Sequence, residues 1–224
     1  MIDFELIRSA RFAYRKAQFQ IGDPKQYVNS SYPIMYNVYM MLKQKQAEKF
    51  IEKWVANLVG GKIISKKDAS FEFSKKDIGD IQISNGPLVV TKNNVELKCI
   101  FQENNLRIGG GQFRFYEPIG GYLFFKAFDE NYFEMYLLSK DQLIQEIKQR
   151  AINSGRSAYC SSQGSNDING STDEKLKRLD ENVAGLLSDK ISWGFNIKTE
   201  KKYYDEFKAK YYVTPEDVRK RNEI

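Results

Sequence analysis

The chain has 224 residues, long enough to bury a core of its own without disulfide or metal staples. Its net charge of +6 permits a polyanionic partner without demanding one. It contains no histidine, which excludes Ser-His-Asp and Cys-His catalysis and zinc sites built on imidazole. Chemistry here has to come from carboxylates, lysine, tyrosine or a hard metal ion. No apolar run is long enough to cross a membrane, and the first residues, "MIDFELIRSARF", lack the continuous apolar stretch of a secretory signal. The two cysteines, Cys99 and Cys160, have no metal-like spacing, so a cytoplasmic protein is expected.

In chain order, apolar residues at helical spacing predict a helix over 3–20, broken by Gly22, Pro24 and Pro33. A long helix is predicted over 34–58 and ended by Gly60-Gly61. From about 62 to 138 the chain reads as short strands: "KIISK", "ASFEFS", "GDIQIS", "PLVV", "VELKCIF", "QFRFYE", "YLFFKAF" and "FEMYLLS". A helix, "KDQLIQEIKQRA", follows with Ser139 as its N-cap. Residues 153–173 are rich in Ser, Gly and Asn and read as a long loop. "STDEKLKRLDENVAGLL" is helical, capped by Ser171 or Thr172, and "ISWGFNIK" is a strand. "TEKKYYDEFKAKYY" and "TPEDVRKR" are C-terminal helices, the second with Pro215 in its first turn. The expectation is one α/β domain over 1–224, with a central mixed β-sheet flanked by helices.

The charged strands carry the chemistry. Side chains alternate faces along a strand, so Val95, Leu97, Cys99 and Phe101 share one apolar face of "VELKCIF". Glu96, Lys98 and Ile100 share the other, with neighbouring Cα atoms roughly 6–7 Å apart. In "DIQI", Ile81 and Ile83 face one way, opposite Asp80 and Gln82. Paired as a hairpin, the two strands bring Asp80 opposite Glu96. Two carboxylates at a sheet end form a site for a hard cation such as Mg²⁺, which the backbone carbonyl of Leu97 could complete. Lys98 beside it could orient or deprotonate a water, or stabilise a pentavalent phosphoryl transition state. The plainer alternative is a surface hairpin decorated with ordinary solvent-facing charges.

"GDIQI…VELK" resembles the core of the PD-(D/E)xK nucleases, the fold of most type II restriction endonucleases. Asp80, Glu96 and Lys98 match the three positions of that pattern, and Asp77 competes with Asp80 for the first acid. Where the family has a proline before the first acid, this chain has Gly79. The resemblance implies a restriction-endonuclease-like core and a site-specific endodeoxyribonuclease. It implies Mg²⁺ as cofactor with Mn²⁺ as a substitute, double-stranded DNA as substrate, and a homodimer cutting both strands of a symmetric site. A glutamate of an upstream helix sometimes assists the metal in this family, and Glu48 and Glu52, one helical turn apart, are the candidates.

Candidate DNA contacts lie downstream. In "RIGGGQFRFYE", Arg107, Gln112 and Arg114 suit phosphates or base edges, and Gln112 could also orient a water or phosphate near the metal. In "SGRSAYCSSQGSNDINGS", Arg156, Ser162, Gln163 and Asn166 are hydrogen-bonding side chains of the kind that read DNA. A flexible turn and a plain linker have the same compositions. Other readings are a PD-(D/E)xK nuclease of repair or junction resolution, a non-catalytic nucleic-acid-binding protein, and an unrelated α/β protein with a decorated hairpin.

Overall fold

A computed structural model describes residues 22–64, 78–83, 94–101, 108–113, 115–116, 118–154, 158–162, 172–183, 191–196 and 201–222. The helix expected over 3–20 and the strands "ASFEFS" and "PLVV" lie outside the described residues. After a single 3₁₀ turn, Pro24–Tyr27, two helices follow, α1 (Tyr32–Met41) and α2 (Gln44–Val59). The one long helix expected over 34–58 is therefore two. Leu42 and Lys43 adopt extended backbone, and Leu42 turns its side chain into the core at 4% exposure. Gly60 closes α2 in the left-handed region at φ 67°, its N–H returning to the carbonyls of Ala56 and Asn57.

Among the described residues six strands make the central sheet, in the order β1 (Lys62–Ile63), β2 (Ile81–Gln82), β3 (Asn94–Phe101), β5 (Ile119–Ala127), β6 (Phe133–Ser139) and β9 (Tyr212–Val213). β3 and β5 run parallel and the remaining pairs antiparallel, so the sheet is mixed. A second, three-stranded sheet has the order β4 (Gly109–Phe113), β8 (Ile191–Asn196), β7 (Ala158–Ser162). β7 lies inside the serine-rich segment read as a loop; among the described residues the run "AYCSS" pairs, too short for a periodic signal to emerge from that composition.

Among the described residues of the second half, helices α3 (Lys140–Ser154), α4 (Thr172–Val183) and α5 (Lys201–Tyr211) follow the central strands. The last helix, α6 (Pro215–Asn222), follows β9. Ser139 caps α3 reciprocally: its Oγ accepts from the Gln142 N–H at 3.1 Å, and its own N–H donates to Gln142 Oε1 at 2.8 Å. Tyr212, expected in a helix, instead pairs with Tyr136 at the sheet edge.

Alternation divides the core in two. On one face Val95, Leu97, Leu123, Phe125, Met135 and Leu137 pack under α1 and α2. On the other, Ile100, Tyr122, Phe124, Tyr136 and Leu138 pack against α3, α4 and α5. Trp54 of α2 is buried in the first, edge-on to Phe125 at 5.8 Å between ring centres, its Nε1–H donating to the Ser30 carbonyl at 2.9 Å. No helix among the described residues is long and apolar enough to cross a membrane.

Candidate active site

The site forms where β2 meets β3 at the interior of the central sheet. β2 and β3 pair with Ile81 opposite Val95 and Gln82 opposite Asn94, and continuing that register by one step brings Asp80 to Glu96. Asp80 is pinned by its backbone on both sides. Its N–H donates to the Val95 carbonyl at 2.9 Å, and its carbonyl accepts from the Ile64 N–H at 3.1 Å. Its side chain then bonds into the strand: Oδ2 accepts from the Leu97 N–H at 2.8 Å. Along a regular strand the N–H and C=O of one residue point to the same side, so the Leu97 carbonyl opens toward the edge that Asp80 occupies.

Gly79, where the resembled family has proline, sits at φ 92°, a conformation closed to proline and rare for any residue with a Cβ. A Cβ there would also meet the Val95 carbonyl oxygen at 3.1 Å. The left-handed turn is what delivers Asp80 to the end of β2.

Glu96 and Lys98 share a face as alternation requires. Lys98 Nζ donates to Glu96 Oε1 at 2.8 Å, with the two side chains only 16% and 12% exposed. The second oxygen, Glu96 Oε2, is buried. The Lys98 ammonium also lies 5.5 Å from the centre of the Phe113 ring, which reaches it from β4. The pair is thus nearly dry, and its electrostatics are correspondingly strong.

Of the helical glutamates, Glu52 lies within electrostatic reach of β3, at Cys99. Glu48 is exposed and takes a hydrogen bond from Gln44 Nε2 at 3.3 Å. Glu52 is half-buried and acts electrostatically on Cys99 of β3. Burial pushes the Cys99 thiol well up, and the negative charges of Asp80 and Glu52 push it further, opposed by Lys98. An acid of α2 and the acid preceding β2 thus both act on the same thiol of β3. Among the described residues no group of three or more His, Cys, Asp or Glu side chains is arranged to hold a metal ion. What the structure shows is the Asp80 carboxylate on the Leu97 N–H, beside Glu96 in the strand and the Lys98 that pairs with it.

Asp77, Arg107, Arg114, Arg156, Gln163 and Asn166 lie outside the described residues. Gln112 falls in β4 and Ser162 ends β7, both in the smaller sheet.

A second polar cluster had no counterpart in the sequence reading. Glu134 of β6 is buried at 2% exposure and accepts four hydrogen bonds: from Tyr132 and Lys208 at Oε1, and from Tyr136 and Tyr204 at Oε2. Burial raises its carboxyl, but those four donors outweigh burial and hold it below the usual glutamate range. Both Tyr136 and Tyr204 are pushed up, first by burial and then by their bonds to Glu134. The only signal in the sequence is an acid inside the apolar run "FEMYLL"; its partners on α5 are some seventy positions away. Fully satisfied, the cluster ties α5 to the sheet.

No protein-family model matches the chain, and no curated protein or solved structure is significantly similar to it.

Proposed function

We propose that the protein is a Mg²⁺-dependent endodeoxyribonuclease of the type II restriction class, with the restriction-endonuclease-like core that its D…ExK pattern implies. One observation carries the reading: the Asp80 carboxylate bonds to the Leu97 N–H, between the two charged residues of E-x-K, at 2.8 Å. First acid, second acid and lysine are therefore one constellation on adjacent strands rather than scattered surface charge.

Asp80, Glu96 and the Leu97 carbonyl would supply an all-oxygen donor set suited to a hard divalent ion that keeps several waters, with Glu52 a further acid on the α2 side of the sheet. When bound, Mg²⁺ (or Mn²⁺ in its place) supplies polarisation of the phosphoryl oxygen and an acidified water. The chain's own contribution is placement. Asp80 is fixed by three backbone hydrogen bonds, two through its main chain and one through its carboxylate. Glu96 orients Lys98 through the 2.8 Å ion pair. Lys98 orients the attacking water and offsets the negative charge that builds on the phosphorus centre. Double-stranded DNA is the substrate, and a homodimer would present one such site to each strand of a symmetric sequence.

The test is incubation with plasmid and phage DNA in Mg²⁺, with and without EDTA. Discrete fragments that vanish with EDTA are expected; a smear or nicking alone would move the protein to repair or junction chemistry, and a gel shift without cleavage to non-catalytic binding. Asp80→Ala, Glu96→Ala and Lys98→Ala should each lower the cleavage rate by about 100-fold or more. Full activity in these variants, in a preparation free of contaminating nuclease, would sink the assignment.

A further inference from the structure

We propose that Phe113 is a positioning residue for Lys98, and that the glycine-rich strand before it carries a bulge whose effect is to aim its ring. The proposal rests on the nuclease reading above. Lys98 meets the Glu96 carboxylate at 2.8 Å on one side and the Phe113 ring, 5.5 Å from ammonium to ring centre, on another. Glu96 alone is an unsteady guide, because the same carboxylate is a candidate metal donor and a cation there competes for it. An aromatic face attracts the ammonium without competing for the metal. It also closes off water from one side of a long, flexible side chain.

The ring is itself held still. Phe113 is fully buried, edge-on to Tyr122 at 5.5 Å and tilted against Phe124 at 6.0 Å. Those two are the β5 residues registered beside the charged pair: Glu96 lies next to Tyr122 and Lys98 next to Phe124. One phenyl ring therefore meets the Lys98 ammonium and both β5 side chains registered beside the charged pair.

The sequence device that delivers it is local. β4 pairs with β8 as Gly109 to Asn196 and Gly110 to Phe195, and resumes with Phe113 opposite Trp193. Gly111 and Gln112 together oppose Gly194 alone, which is a β-bulge. Since side chains alternate, one extra residue turns everything after it to the other face. An unbroken register would turn residue 113 away from the face it now takes. Glycines in a strand tolerate this kink, which gives "GGGQF" a role in placing the ring.

The test uses Phe113→Leu, which keeps apolar bulk and removes the ring, and Phe113→Tyr, which keeps the ring. Phe113→Leu should lower kcat for DNA cleavage by about 10- to 100-fold while KM, and DNA affinity measured with Ca²⁺ in place of Mg²⁺, stay within about twofold. Phe113→Tyr should restore kcat. Independently of turnover, the ε-methylene protons of Lys98 in the wild type should show an upfield ring-current shift by NMR, lost in Phe113→Leu and kept in Phe113→Tyr. Wild-type kcat in Phe113→Leu, or equal losses in kcat and affinity, would overturn the proposal. So would an absent ring-current shift in the wild type, whether or not the variants fold. A wild type with the shift that cleaves no DNA would instead remove the nuclease reading, and the catalytic meaning of the contact with it.

Discussion

Glu134 and Glu96 are both acids on central strands, and their surroundings sort them into different roles. Glu134 is saturated by four donors, whereas Glu96 sits two residues from its lysine and one hydrogen-bonded step from a second acid. Saturation makes Glu134 a stabiliser, and its protonation state is then a stability term. Its folded-state carboxyl is held low, so its contribution is complete above the ordinary glutamate value of 4.5 and is lost as pH falls through the depressed one. Lys208 is shifted up, chiefly by its bond to Glu134, so its share is complete below the ordinary lysine value of 10.5 and is lost only as pH rises through the raised one. Between those limits the contact is constant. Glu134→Gln should cost roughly 3 kcal/mol at neutral pH, read from urea midpoints, and the gap to wild type should close on the acid side. A gap that stays constant down to pH 3 would mean the carboxylate charge is not what the four donors recognise.

Ser139 illustrates how far an element can be read from its ends. A serine before a run of good helix formers, with Gln142 three positions on, is a capping signal, and both reciprocal hydrogen bonds form. Ser139→Ala should destabilise the protein by about 1 kcal/mol, seen as a lower denaturation midpoint with an unchanged slope. The strand pattern of "VELKCIF" was equally legible, because alternation fixes faces and both faces of β3 are committed. So was the antiparallel pairing of β2 with β3, whose register runs toward Asp80 and Glu96. Elements set by long-range contact were not. The corner at Leu42–Lys43 has neither glycine nor proline to mark it; the two helices bend there because both must lie on one sheet face. Tyr212–Val213 continues a helix-like sequence yet pairs with β6, because the sheet edge offers hydrogen-bond partners that outweigh local preference. Phe113 was legible as a strand residue but not as a neighbour of Lys98, for its face depends on a register shift against a strand eighty positions away.

At the scale of the whole molecule the central sheet separates two cores, and the candidate site draws on both. Glu52 comes from the side of α1 and α2, while Glu96, Lys98 and Phe113 lie on the side of the second sheet. The buried indole of Trp54 sits two residues from Glu52 on the same helix, bonded to Ser30 and packed against the underside of β5. Its fluorescence is thus a built-in gauge of whether that helix is seated. In a Trp193→Phe background, which leaves Trp54 as the sole tryptophan, the native protein excited selectively at tryptophan should fluoresce at the blue end of the tryptophan range and shift red on unfolding. Titrating Mg²⁺ into that variant would report, by light alone, how tightly the acid end of the sheet is coupled to the helix that covers it.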